Sequence, residues 1–157
     1  MNITILCVGK TEESYIQQGI DIFKKRLEHY ISFEILEVSL QKKWNKLPPE
    51  QQKQKEAELV LPQIAKRDYC VLLDEKGKSF SSVAFSGFLQ QQMNHSVRSI
   101  LFVVGGPWGF SKDVVDAAHM KLSLSPMTFS HQMVRLFFVE QLYRAMTILR
   151  NESYHNE

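Results

Sequence analysis

Five short apolar runs alternate with stretches of helical spacing, and this alternation constrains the fold more than any other feature of the chain. The runs are Ile3–Val8, Phe33–Val38, Tyr69–Leu73, Arg98–Val104 and Met120–Leu124. Each is too short for a helix of ordinary length, and several are rich in β-branched residues, so each reads as a buried strand. Between the first two, Tyr15, Ile16, Ile20, Phe23, Leu27 and Tyr30 recur at helical intervals within Glu12–Tyr30. Further helices are expected over Glu50–Arg67, from Ser81 or Ser82 to about Asn94, over Ser111–Ala118 with Ser111 as N-cap, and over Phe129–Leu149. Pro62 should be a local defect in the second of these helices. Gln41–Pro49 reads as a loop ending in Pro48-Pro49, and Asp74–Gly77 as a turn. Strands alternating with helices imply an α/β fold with a mainly parallel sheet.

The 157 residues suit one domain with a full core. The chain is 44% hydrophobic, which argues against disorder. No apolar run approaches the roughly 20 residues that span a bilayer. No basic stretch leads into an apolar core at Met1–Lys10, so the expectation is a cytoplasmic protein with no membrane partner. The net charge of +2 gives no simple electrostatic case for nucleic acid and, alone, points towards a small-molecule enzyme. Cys7 and Cys70 each lie inside an apolar run and read as buried thiols.

Several familiar motifs fail. Gly77-Lys78-Ser79 looks like the end of a phosphate-binding loop, but Leu72 stands where the earlier glycine is needed. Gly105-Gly106-Pro107-Trp108-Gly109 is not a dinucleotide fingerprint. The five histidines show no metal spacing, and no serine sits in a nucleophile elbow, so no metal is expected.

Two strand exits remain where chemistry fits. One is the glycine cluster, three of only seven glycines in the chain. Glycine there lets the backbone approach a ligand, and open α/β folds bind ligands beyond the carboxyl ends of their strands. The other is Leu122–Gln132, a short strand and a Ser-Pro loop leading into the last helix. Its amides and apolar groups would make a slot for a flat heterocycle; the alternative is a simple helix start capped by Thr128 or Ser130. The last helix is apolar almost all round, so a second subunit could cover one side. Its charged residues either pair internally, as Arg135–Glu140 or Glu140–Arg144, or present arginines to phosphate or RNA.

Taken together, Ile3–Lys10, Leu73–Lys78, Gly105–Gly109, Leu122–Gln132 and Arg144-Ala145…Arg150…Tyr154-His155 resemble the ribosomal RNA large subunit methyltransferase H family, small SPOUT-class enzymes, over the whole chain. The resemblance implies an α/β fold with a C-terminal trefoil knot, an obligate homodimer, and S-adenosylmethionine held by Leu73, Gly105, Leu124, Ser125, Pro126, Met127, Thr128 and Phe129. It also implies methyl transfer to N3 of a pseudouridine in 23S rRNA of assembled ribosomes. The imide must lose a proton, so a base or a charge-stabilising group should lie near. Arg135, Arg144, Tyr154 and His155 are the candidates for RNA contact or catalysis, with His155 the titrating base among them. The family pattern ends soon after this Tyr-His, whereas Asn156 and Glu157 follow here. Trp108 is expected only to pack. The rival readings are a ribosome- or RNA-binding module that holds the cofactor or a nucleotide without catalysis, and, further behind, a flavodoxin-like small-ligand protein.

Divided along the chain, the charge gives no polybasic arm. Residues 1–60 carry nine basic and nine acidic groups, 61–125 seven and five, and 126–157 three and three. Electrostatics alone should bind naked RNA weakly, and recognition should depend on the shape of an assembled target.

Overall fold

The computed structural model describes residues 1–155; Asn156 and Glu157 lie outside the described residues. Five strands, β1 (Asn2–Val8), β2 (Ser32–Val38), β3 (Tyr69–Ser79), β4 (Ser99–Val104) and β5 (Met120–Ser123), form one sheet in the order β2-β1-β4-β3-β5. Every pairing is parallel. Five α-helices, α1 (Ser14–Leu27), α2 (Pro49–Ile64), α3 (Ser82–Asn94), α4 (Lys112–Ala117) and α5 (Met133–Leu149), cover its faces.

The two-residue period of the strands divides the core into two layers. Ile3, Ile5 and Cys7 of β1, Val71 and Leu73 of β3, and Ile100, Phe102 and Val104 of β4 share one cluster with Phe85, Leu89, Phe138, Val139 and Leu142 of α3 and α5. The alternate residues Leu6, Val8, Cys70, Leu72, Leu101 and Val103 face Ala57, Val60, Ile64 and Val114 of α2 and α4. Burial on both faces explains why these strands read as continuous apolar runs. It also pushes both thiols, Cys7 and Cys70, up to about 12.

Three local expectations are corrected. The loop over Gln41–Pro49 contains a 3-10 helix, Lys42–Lys46, packed on α2. The turn at Asp74–Gly77 is a bulge within β3: Leu73 and Lys78 both stand opposite Leu122, so the strand resumes pairing after the extra residues. Gly77 makes this feasible, since a Cβ there would lie 2.7 Å from the Leu122 backbone. The last helix starts at Met133 rather than Phe129, and the hydroxyl of Ser130 accepts from the Met133 amide at 3.1 Å. Pro62 sits inside α2 without ending it. The caps at Ser81 and Ser111 stand as expected, each accepting from the amide three residues on.

α5 lies between α1 and α3 on one face and runs antiparallel to the strands. At its start, Arg135 Nη2 donates to the carbonyl of Val8, at the carboxyl end of β1. Beyond its far end, Arg150 donates to the carbonyl of His29, just before β2 begins.

Candidate cofactor cavity and C-terminal cluster

A cavity of about 620 Å³ opens at the carboxyl ends of β3, β4 and β5. Three segments wall it: Leu73–Lys76 leaving β3, Val104–Phe110 leaving β4, and the loop from Leu124 to His131. Of the residues expected to hold a cofactor, Leu73, Gly105, Leu124, Ser125, Met127, Thr128 and Phe129 line this cavity, while Pro126 is outside the lining. Trp108 is not packed away; it is half exposed on the wall.

Internal bonds shape the walls. The Ser123 hydroxyl donates to the Ser125 carbonyl at 2.8 Å, and the Ser125 hydroxyl accepts from the Met127 amide at 3.0 Å. The Thr128 hydroxyl donates to Glu75 across the opening. Asp74 feels desolvation most, but the Lys76 amide and the Lys121 ammonium outweigh it together and hold the carboxyl below its ordinary value.

Sequence reasoning missed Glu56. This residue of α2 is almost fully buried behind the glycine loop. A Cβ on Gly106 would lie 2.3 Å from its Oε1. The carboxylate accepts from the Gly106 amide, and from Gln52 Nε2 at 3.4 Å. Burial raises the carboxyl above its ordinary value, and these two donors oppose the shift. Gly106 is therefore required by a close approach to the protein's own carboxylate. The only sequence signal was the Glu56-Ala57…Val60…Ile64 spacing, which puts Glu56 on the buried stripe of its helix.

Three candidates for catalysis or RNA contact gather at the other end of α5. Glu140 Oε1 accepts from Arg144 Nη2 at 2.7 Å, from Arg144 Nε at 3.1 Å and from the Tyr154 hydroxyl at 3.0 Å. The Arg144 guanidinium lies 4.7 Å from the centre of the Tyr154 ring, and its Nη1 is 3.4 Å from His155 Nδ1. Burial, then the bond to Glu140, raises the Tyr154 hydroxyl above its ordinary value. The internal pairing on α5 is thus Glu140–Arg144.

Arg135 does not join them. It is 1% exposed, and its guanidinium donates to the carbonyls of His131 and Val8 and to the hydroxyl of Thr11. Its nearest carboxylate is Glu37 at 3.6 Å, not Glu140. The expectation that Arg135 faces RNA is corrected: it is a buried brace between α5 and the exit of β1.

The cavity wall includes Val134, ten residues before Arg144. At about 1.5 Å per residue, one chain separates them by ~15 Å along α5.

A family model described as "Predicted SPOUT methyltransferase" matches residues 1–155. The chain belongs to the SPOUT methyltransferase family. Curated relatives of this SPOUT chain include proteins named ribosomal RNA large subunit methyltransferase H. That of Christiangramia forsetii is 52% identical over 99% of both chains. Those of Flavobacterium psychrophilum and Porphyromonas gingivalis are 52% and 48% identical over the full length of both chains. The α/β architecture with its five-stranded parallel sheet agrees with the fold expected of a SPOUT protein, and no helix among the described residues is long and apolar enough to cross a membrane.

Proposed function

We propose that residues 1–157 work as one SPOUT domain, a homodimer that transfers a methyl group from S-adenosylmethionine to N3 of a pseudouridine in 23S rRNA of assembled cytoplasmic ribosomes. The observation that carries this reading is the cavity: seven of the eight residues expected to hold the cofactor line one space, in a chain about half identical to enzymes named for large-subunit ribosomal RNA.

The residues present fit the group. The volume is in the usual range for small-molecule sites, roughly 300–1,000 Å³. Leu73, Leu124 and Phe129 offer apolar surface for an adenine, and the amides of Gly105, Ser125 and Thr128 offer hydrogen bonds. The charges on the wall balance, Asp74 and Glu75 standing with Lys76 and Lys121, and Asp74 is paired with Lys121 at 3.1 Å. When bound, S-adenosylmethionine supplies a methyl group on a sulfonium leaving group, so positioning is the main demand on the protein. A trefoil knot over the C-terminal part is included in the reading, the Leu124–Phe129 loop being the stretch that would grip the cofactor.

The acceptor N3 must lose a proton. His155 is assigned that proton. Tyr154 is held as the neutral phenol by its burial and its bond to Glu140, so it donates rather than abstracts. Arg144, held by donating through Nε and Nη2 to Glu140 Oε1, presents its guanidinium to a developing imide anion or a phosphate. These groups and the cavity are too far apart in one chain to act on the same atom. A site completed by two chains resolves the separation. Met127, Trp108 and Phe137 are large apolar groups left exposed around the cavity and the adjoining part of α5, as a partner surface would require.

The test is methyl incorporation into ribosomes from cells lacking this protein, with mass spectrometry to locate the modified base. Stoichiometric methylation of one pseudouridine at N3 is expected. If no methyl reaches 23S rRNA while S-adenosylmethionine still binds, the chain is the non-catalytic module instead.

A further inference from the structure

The segment between β2 and α2 has no role in the site described above, yet it concentrates charge. Between Lys42 and Lys55 stand five lysines and a single acid, Glu50. Balanced counts over longer blocks hide this. Lys53 and Lys55 are engaged with Glu50 and Glu58 at 2.5 and 2.7 Å. Lys42, Lys43 and Lys46 are exposed, and none of them forms an ion pair among the described residues.

Their presentation is built. The 3-10 helix Lys42–Lys46 packs on α2. Its partly buried Trp44 ring takes the Lys55 ammonium at 5.0 Å and that of Lys43 at 5.6 Å. In a 3-10 helix, residues three apart eclipse, so Lys43 and Lys46 project to the same side. Further along α2, Lys53 and Glu56 line a small cleft together with Gly105 and Gly109, whose loop also walls the cofactor cavity. The lysine turn is thus mounted on the helix that supports the cavity's glycine loop.

We propose that Lys42, Lys43 and Lys46 form a second RNA-contact surface, which grips phosphates of the target rRNA at the same carboxyl end of the sheet as the cofactor cavity and orients it without reading bases. This inference rests on the rRNA methyltransferase reading above. Three exposed ammonium groups without carboxylate partners complement a phosphate backbone, and phosphate contacts set register and orientation rather than sequence preference. The surface supplies charge that the arginines of residues 126–157, three against three acids, do not.

Two measurements test it. The first compares wild type with K42Q/K43Q/K46Q on unmethylated ribosomes across a salt series. The variant should show KM for ribosomes raised about tenfold at moderate salt, with the salt dependence of log KM shallower by about 2 to 3, one unit per lost phosphate contact. Its kcat and its calorimetric affinity for S-adenosylmethionine should not change, because no substituted side chain lines the cavity. An unchanged KM and salt slope overturn the proposal while leaving the wild-type activity, and so the function, standing. The second places a photo-crosslinking amino acid at Lys43. Crosslinks to 23S rRNA support the proposal; crosslinks confined to a ribosomal protein overturn it.

Discussion

Glu56 and Gly106 form a pair in which each residue explains the other. The carboxylate takes the space that any side chain at 106 would need and accepts that residue's amide. The arrangement has a pH signature. Glu56 has a folded value raised above its ordinary 4.5. A carboxyl raised on folding favours the folded state fully below its unfolded value, and that contribution is lost as pH rises through the folded value. Relative to Glu56→Gln, the wild-type protein should therefore lose stability as pH climbs from about 4.5, then level off. Urea midpoints measured for both across this range test it, and parallel curves would contradict it. The candidate site was legible in the sequence to the extent that its residues leave strands. Strand exits marked by glycine and Ser-Pro can be read from one chain. Glu56 could not be assigned there, because its function arises from contact with a loop fifty residues away.

At the scale of elements, alternating apolar and helical stretches predicted every strand and α-helix in order. Apolar runs buried on both faces read as strands once their short length and β-branched residues separate them from buried helix segments. What the pattern could not give was the strand order, which places β4 between β1 and β3. Nor could it give the bulge of β3, which depends on how closely Leu122 approaches Gly77. α5 shows the same boundary between local and tertiary information. Its composition allowed its arginines to be internal or RNA-facing, and packing separated them. Arg144 joins the C-terminal cluster, whereas Arg135 braces the exit of β1. Arg135→Met should then cost about 2–4 kcal/mol in stability, through lost charge-assisted hydrogen bonds and imperfect filling of the site. Urea denaturation measures it. A loss within about 0.5 kcal/mol, as for an ordinary surface substitution, would mean that the brace is not stabilising.

For the whole molecule, the direction of α5 matters most. It carries one cavity-wall residue, Val134, near the carboxyl ends of the strands, and Arg144, with Tyr154 and His155 beyond it, towards their amino ends. In the proposed reaction, the methyl donor in the cavity and the proton acceptor in the C-terminal cluster would meet where one subunit supplies each. Two-fold pairing would supply both to both sites. The modest net charge is compatible with the proposed dimer, which would double the arginines and the lysine turns without becoming polybasic overall. The most direct measurement mixes two defective subunits. Gly105→Leu would block the cavity, because even a Cβ there lies 2.9 Å from the Phe110 ring. Arg144→Ala would disable the cluster. Each homodimer should be inactive on ribosomes. After the two are unfolded and refolded together in equal amounts, activity should return to about one quarter of wild type, since half of the dimers are mixed and each holds one intact site. Mixed dimers no more active than either parent would contradict a site shared between subunits.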